Sequence, residues 1–369
     1  MWRYHNPVAV HFGWGALERL PQVVGDREVV AITFPEARAA GIEGRLEALL
    51  GSRLRAVVSD VAPNPEVEWF RAKYAGFWKR HAGSTLVAIG GGSAIDTAKL
   101  LQVATREGSF ESLFVALAAG RQPEVARAFP LIAVPTTAGT GSEATPWATL
   151  WDRSSAVPRK HSLHVAETWP EAALVDPELT LSAPAAVTRN SALDALSHSL
   201  ESIWNVNSNP VSDTLAVESA RTVIATLPGL IATPSSRELR TDMSRGALMA
   251  GLAFSNTRTA LAHSISYEMT LRHGLPHGLA CSFTLPLVWR LAAGADPARD
   301  AVLARIFGAD VPTPWTRLAA FLHEVGVGTA FADYGVAAGE ARGMIELALE
   351  GARGKNFVNP APRLDESIA

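Results

Sequence analysis

Thr85-Leu86-Val87-Ala88-Ile89-Gly90-Gly91-Gly92-Ser93-Ala94-Ile95-Asp96-Thr97-Ala98-Lys99 decides the fold of the first half of this chain. Thr85–Ile89 is a short apolar run of the kind that forms a strand buried on both faces. Three glycines then let the backbone turn sharply and approach a ligand closely. Ala94–Arg106 carries helical spacing, so a helix N-terminus with unsatisfied N–H groups opens just after the turn, and a pyrophosphate is its natural occupant. A Gly-Gly-Gly after a strand is more often only a turn, and this one is neither a Walker loop nor Gly-x-Gly-x-x-Gly. A second polar loop strengthens the ligand reading: the strand Leu131–Pro135 ends in Thr136-Thr137-Ala138-Gly139-Thr140-Gly141-Ser142-Glu143, where Thr140 or Ser142 could equally serve as an N-cap.

Outward from this stretch, short β-like runs alternate with longer helical patterns. Val8–Phe12, Val29–Phe34 and Leu54–Asp60 read as strands; Ala16–Val24, Glu36–Leu50 and Glu66–His81 read as helices. This alternation predicts an α/β domain over 1–182, a mostly parallel sheet with flanking helices and ligands at the carboxyl ends of its strands. Residues 144–180 read as a β-rich insertion, with Ala148–Trp151, a turn at Asp152–Pro158 and Arg159–Leu163. Beyond Pro184 the pattern turns helical, predicting an all-α domain over 183–369. Its segments are 188–204, 210–227, 237–254, 257–271, 282–293, 299–308, 313–325 and Ala338–Gly351, with a loose tail from 360.

Within that second half, Asp194 and His198 stand four residues apart, on one face of a helix. Such a pair is usually a solvated face. Here the flanks are apolar and small, and buried ionisable groups must be paired or bound. His263 and His277 complete an O,N,N,N set suited to Fe(II) or Zn(II), with positions left open for water or a substrate oxygen.

The chain of 369 residues is long enough for two domains with their own cores. Its net charge of −3, without a long Lys/Arg run, argues against nucleic acid as a partner. The single cysteine, Cys281, excludes an internal disulfide framework and a cysteine-rich zinc module; it reads as a buried packing residue. The N-terminus lacks a signal-peptide apolar region and no run approaches a membrane span, so a cytoplasmic protein without a membrane partner is expected.

These motifs together resemble the iron-containing (group III) alcohol dehydrogenases. The resemblance rests on Gly90-Gly91-Gly92-Ser93 with Asp96 and Lys99, Pro135–Glu143, Val175-Asp176-Pro177, Asp194–His198 and Pro276-His277-Gly278. It implies a dehydroquinate synthase-like architecture and a metal-dependent, NAD(P)-linked alcohol dehydrogenase or aldehyde reductase working in the cleft between two domains. Asp194, His198, His263 and His277 would be metal ligands. Gly91, Gly92 and Ser93 would contact the cofactor pyrophosphate; Thr136, Thr137, Thr140 and Ser142 would line the nucleotide. Lys160 would lie near the nicotinamide, and Asn64 matches a weaker cofactor-side motif. A homodimer is compatible with the family.

Two departures stand out. Many members carry a histidine four residues after the third ligand, often given a role in proton transfer; here that position is Tyr267, and His273 is the candidate replacement. NAD-preferring members often end the second strand with an aspartate; here it ends Thr33-Phe34-Pro35-Glu36, so a 2′-phosphate is not repelled and NADPH is permitted beside NADH.

A narrower resemblance is to the phosphonoacetaldehyde reductases. It rests on Ser255–Tyr267, Arg272–Gly278, Lys160–Leu163 and Asn356-Phe357. It implies reduction of phosphonoacetaldehyde to 2-hydroxyethylphosphonate, and a phosphonate dianion needs cations, for which Arg258 and Arg159 are the candidates, each equally readable as a surface charge. The alternatives are a generic short-chain alcohol dehydrogenase, a dehydroquinate-synthase-type enzyme that returns its hydride, whose lysine- and arginine-rich substrate motifs are absent here, and a non-catalytic metal- or nucleotide-binding protein.

Overall fold

The structure is a computed structural model and describes residues 1–155 and 158–364. The middle of the turn expected at Asp152–Pro158 and the end of the expected loose tail lie outside the described residues. The chain forms two compact units. One comprises Asn6–Thr137 and Ser142–Ser182; the other comprises Met1–His5, Ala138–Gly141 and Ala183–Ala369.

In the first unit the strands are β1 (Ala9–Phe12), β2 (Val29–Ile32), β3 (Leu54–Val58), β4 (Thr85–Gly90), β5 (Val103–Ala104), β6 (Arg127–Ala128), β7 (Leu131–Pro135), β8 (Ala148–Asp152), β9 (Arg159–Leu163) and β10 (Ala172–Val175). The helices are α1 (Leu20–Val24), α2 (Ile42–Leu50), α3 (Val67–His81), α4 (Gly92–Gln102) and α5 (Phe110–Ala118). Six strands form one parallel sheet in the order β1-β10-β7-β4-β2-β3. The period of two along each strand sends alternate side chains to opposite faces. Val30, Ile32, Leu86, Ala88, Leu131 and Ala133 pack with α3, α4 and α5. Val29, Ala31, Val87, Ile89, Ile132 and Val134 pack with α1 and α2. Burial on both faces explains why these strands read as unbroken apolar runs.

The parallel α/β half and the helical half stand as expected. Several details differ. Ala172–Val175 does not belong to a β-rich insertion: it is an inner strand of the main sheet, paired with β1 and β7, because a short, wholly buried apolar run needs a neighbour on each side. Of the expected insertion, β8 and β9 pair with each other as an antiparallel hairpin, and β5 and β6 form a second small antiparallel pair. The helix expected over Glu36–Leu50 is interrupted at Gly41, and α5 was not anticipated, although Ser109 caps it by accepting from Ser112 N–H at 3.2 Å.

The second unit consists of α6 (Ala185–Ile203), α7 (Pro210–Ala232), α8 (Arg237–Thr257), α9 (Leu261–His273), α10 (His277–Ser282), α11 (Leu285–Ala292), α12 (Pro297–Phe307), α13 (Pro314–Glu324) and α14 (Ala338–Glu350). Asn209 caps α7 through Val211 and Ser212 N–H, with Pro210 at the first helical position. α7 is apolar and long enough to cross a membrane, yet half of its apolar window is buried, and it packs on α6, α8 and α12. α6 is the central element: every residue from Ala192 to Ile203 is buried. A helix buried all round cannot leave Asp194, Ser197, His198 and Glu201 to solvent, so each must find partners inside.

Candidate metal centre

Asp194 and His198 project from successive turns of α6. His263 comes from the first turn of α9 and His277 opens α10. Gly278 lets His277 approach α6, because a Cβ there would lie 1.9 Å from Asn190 O. Asp194 Oδ1 lies 3.7 Å from His198 Nε2, 3.5 Å from His263 Nε2 and 4.0 Å from His277 Nε2. Tetrahedral donors about 2.1 Å from a common cation stand about 3.4 Å apart, so each carboxylate–imidazole distance is of the right size or slightly open. The His198 ring lies between Phe254, stacked at 4.0 Å, and His263 at 4.7 Å.

Burial opposes charge on Asp194, but His198, His263 and His277 outweigh it and hold the carboxyl well below the usual range. Burial pushes His198 down to about 4, leaving a neutral imidazole at physiological pH. His263 Nε2, buried and 3.5 Å from Asp194 Oδ1, has no hydrogen-bond partner among the described residues. An orphaned buried nitrogen beside an ionised carboxylate and two further imidazoles fits a divalent cation.

Glu201, on the same face of α6 seven residues after Asp194, is wholly buried and was missed in the sequence. Its Oε2 lies 2.6 Å from His263 Nδ1, and its Oε1 accepts the His263 backbone N–H at 3.1 Å. Burial opposes its ionisation, yet His263 and the N–H groups opening α9 hold the pKa below its ordinary value. A carboxylate that accepts a hydrogen bond from Nδ1–H leaves the Nε2 lone pair pointing at the cluster. The spacing Asp194, His198, Glu201 within an apolar helix was the signal available.

Cys281 Sγ also lies within 4.8 Å of the donor atoms of Asp194, His263 and His277. His198, the expected fourth donor, lies outside that group of mutually close atoms, although its Nε2 is 3.7 Å from Asp194 Oδ1. The Cys281 thiol is pushed up by burial and by Asp194, keeps its proton, and donates to Asp194 Oδ1 at 3.3 Å.

In the α/β unit, the register Gly90↔Pro135 sets the ends of β4 and β7 side by side. Ser93 Oγ accepts from Asn64 N–H at 3.1 Å, and a Cβ on Gly91 would stand 3.4 Å from Thr137 Oγ1. Asn64, Gly91, Gly92, Ser93, Thr136 and Thr137 therefore gather around the N-terminus of α4. Ser142 is buried instead beneath that helix: its Oγ donates to Asp96 Oδ1 at 2.6 Å and accepts from Lys99 Nζ at 3.0 Å. Lys99 is wholly buried and also donates to the carbonyls of Ser142 and Trp147; burial pushes its pKa down to about 8 against the pull of Asp96. Thr140 is half-buried in the helical unit, where neighbouring Gly139 has no room for a Cβ against Ser191 O.

The remaining candidates are dispersed. Lys160 is half-buried on β9, its Nζ 5.3 Å from the Trp151 ring centre, and Arg159 beside it is exposed. Arg258 is an exposed residue at φ +70° at the end of α8. His273, about 15 Å along the axis of α9 from His263, lies 3.1 Å from Glu340 Oε1. Tyr267 follows His263 by one turn; burial pushes its phenol up to about 12.

Residues 7–177 match the family described as Iron-containing alcohol dehydrogenase, and residues 188–369 match Fe-containing alcohol dehydrogenase family, C-terminal. Long-chain-alcohol dehydrogenase 1 of Geobacillus thermodenitrificans is 34% identical, over 76% of this chain and 71% of that protein. 1,3-Propanediol dehydrogenase of Citrobacter freundii is 29% identical over 100% of this chain and 97% of its own length. The crystal structure of sulfoacetaldehyde reductase from Bifidobacterium kashiwanohense in complex with NAD+ superposes with a TM-score of 0.89 at 28% identity, covering 100% of this chain and 96% of that one. With both halves matched in order and the donor cluster assembled, this chain belongs to the iron-containing alcohol dehydrogenase family, oxidoreductases that use NAD(P) and a divalent metal.

Proposed function

We propose that this protein reduces a two-carbon aldehyde bearing a terminal oxyanion to the corresponding primary alcohol, phosphonoacetaldehyde to 2-hydroxyethylphosphonate in the first place, with NADPH or NADH. The observation that carries the oxidoreductase reading is that the imidazoles of His198, His263 and the half-buried His277 all stand within 4.0 Å of the buried Asp194 carboxylate. The likeness to a sulfoacetaldehyde reductase favours an oxyanion-bearing substrate, since sulfonate and phosphonate are both tetrahedral oxyanions on the same two-carbon aldehyde. Sulfoacetaldehyde is therefore the second reading.

A bound divalent metal supplies Lewis acidity at the aldehyde oxygen, and the reduced nicotinamide supplies hydride. Asp194, His198, His263 and His277 would hold the cation, with Glu201 fixing the His263 tautomer. Asn64, Gly91, Gly92, Ser93, Thr136 and Thr137 would hold the cofactor phosphates at the α4 N-terminus. Tyr267 keeps its proton at neutral pH and serves to shape the site. NADPH is accepted in this reading: the strand-end position holds Thr33, whose hydroxyl is buried and donates to Ile89 O at 2.8 Å. A homodimer would pair through β1, an edge strand exposing Val10 and Phe12.

The test is cofactor oxidation with phosphonoacetaldehyde, sulfoacetaldehyde and propanal. A kcat/KM at least tenfold higher for an anionic aldehyde is expected. Equal efficiency with propanal leaves a generic short-chain alcohol dehydrogenase.

A further inference from the structure

We infer that Arg353, held over the ring of Tyr267, is the cation that receives the oxyanion of the substrate. The inference rests on the reading above that the substrate carries one. Tyr267 lies four residues after His263 on α9, about 6 Å along the axis, and so on the face of that helix that carries the His263 donor. The guanidinium carbon of Arg353 stands 5.0 Å from the centre of that ring. Its Nε donates to Thr259 Oγ1 at 2.8 Å, which sets the plane of the guanidinium. Among charged groups acting on the Tyr267 phenol are Asp194 and Glu201 of the cluster and, with opposite sign, Arg353.

The segment carrying Arg353 is fixed before any ligand arrives. Asn356 Nδ2 donates to Thr259 O at 2.9 Å, Ser264 Oγ to Ala348 O at 3.0 Å, and Val206 N–H to Asn356 O at 2.9 Å. An arginine held this way spends little conformational entropy on binding, and its planar fork suits the oxygens of a tetrahedral anion. Arg258 is placed differently. Its carbonyl turns inward to accept from Asn205 Nδ2 at 3.1 Å, while the residue as a whole is exposed. Arg353 is thus a specificity-determining residue in the same unit as the cluster, and Tyr267, in place of the histidine common at that position, is the surface on which it rests.

The experiment measures the ratio of kcat/KM for phosphonoacetaldehyde or sulfoacetaldehyde to that for propanal. Arg353→Ala and Arg353→Gln, the latter retaining a donor for Thr259, lower this ratio about 30- to 100-fold, mainly through KM of the anionic aldehyde, as expected for loss of a charge-assisted contact. Arg353→Lys recovers part of the loss, and Arg342→Ala, an exposed charge on α14, leaves the ratio within about twofold. Calorimetric binding of methylphosphonate weakens in parallel in the two neutral variants. A wild-type preference that survives both of them overturns the role of Arg353 and leaves the proposed function standing. A wild-type enzyme without preference for anionic aldehydes overturns both.

Discussion

Glu201 Oε2 lies 2.6 Å from His263 Nδ1, wholly buried, on the side of the imidazole opposite Asp194. One carboxylate faces the cluster and a second stands behind its histidine. The outer one orients the ring and raises its basicity toward a cation. Glu201→Gln should fold and retain the hydrogen bond, yet bind Fe(II) or Zn(II) about 10- to 100-fold more weakly. Metal competition with a chromophoric chelator measures this; unchanged affinity would show that Glu201 only fills space.

The donor set makes a second, sharper demand. Asp194→Ala and His198→Ala should each purify without stoichiometric metal after loading and desalting, whereas Cys281→Ser should retain it, if His198 rather than the neighbouring thiol is the fourth donor, as proposed. Elemental analysis per protein chain decides. Metal lost from Cys281→Ser and kept by His198→Ala would exchange the two residues. In the native protein, Cys281 should resist Ellman's reagent until the chain is unfolded.

Glu143 predicts a pH dependence in the α/β unit. Burial pushes its pKa from its ordinary 4.5 up to about 7, against the attraction of Lys99. The folded state therefore favours the protonated form. That contribution is whole below pH 4.5 and is lost as pH rises through about 7. Between pH 5 and 8 the stability of Glu143→Gln relative to the wild type should rise by on the order of 2–3 kcal/mol. Urea unfolding at successive pH values reads the difference, and a constant offset between the two proteins contradicts the shift.

The edge strand β1 offers a test of association. Val10→Lys places a charge on the exposed edge and should convert a homodimer to monomers in light scattering, with little change in secondary structure. A dimer that survives this change pairs elsewhere.

The sequence by itself determined the strand–turn–helix rhythm of the first half, because burial on two faces forces the unbroken apolar runs of β2, β4 and β7. It also determined the helical second half, and it named the four candidate donors, since Asp194 and His198 share a helix face by spacing alone and the family's motifs point to His263 and His277. Local pattern could not say that Ala172–Val175 is an inner strand, because its partners β1 and β7 are distant in sequence. Nor could it assign Glu201 to His263, 62 residues away, bury Ser142 beneath α4 with Asp96 and Lys99, or set Arg353 on Tyr267. Those relationships depend on which helix ends meet. Packing and the need to satisfy buried charge settle that question, and neither is written in the spacing of residues along one segment.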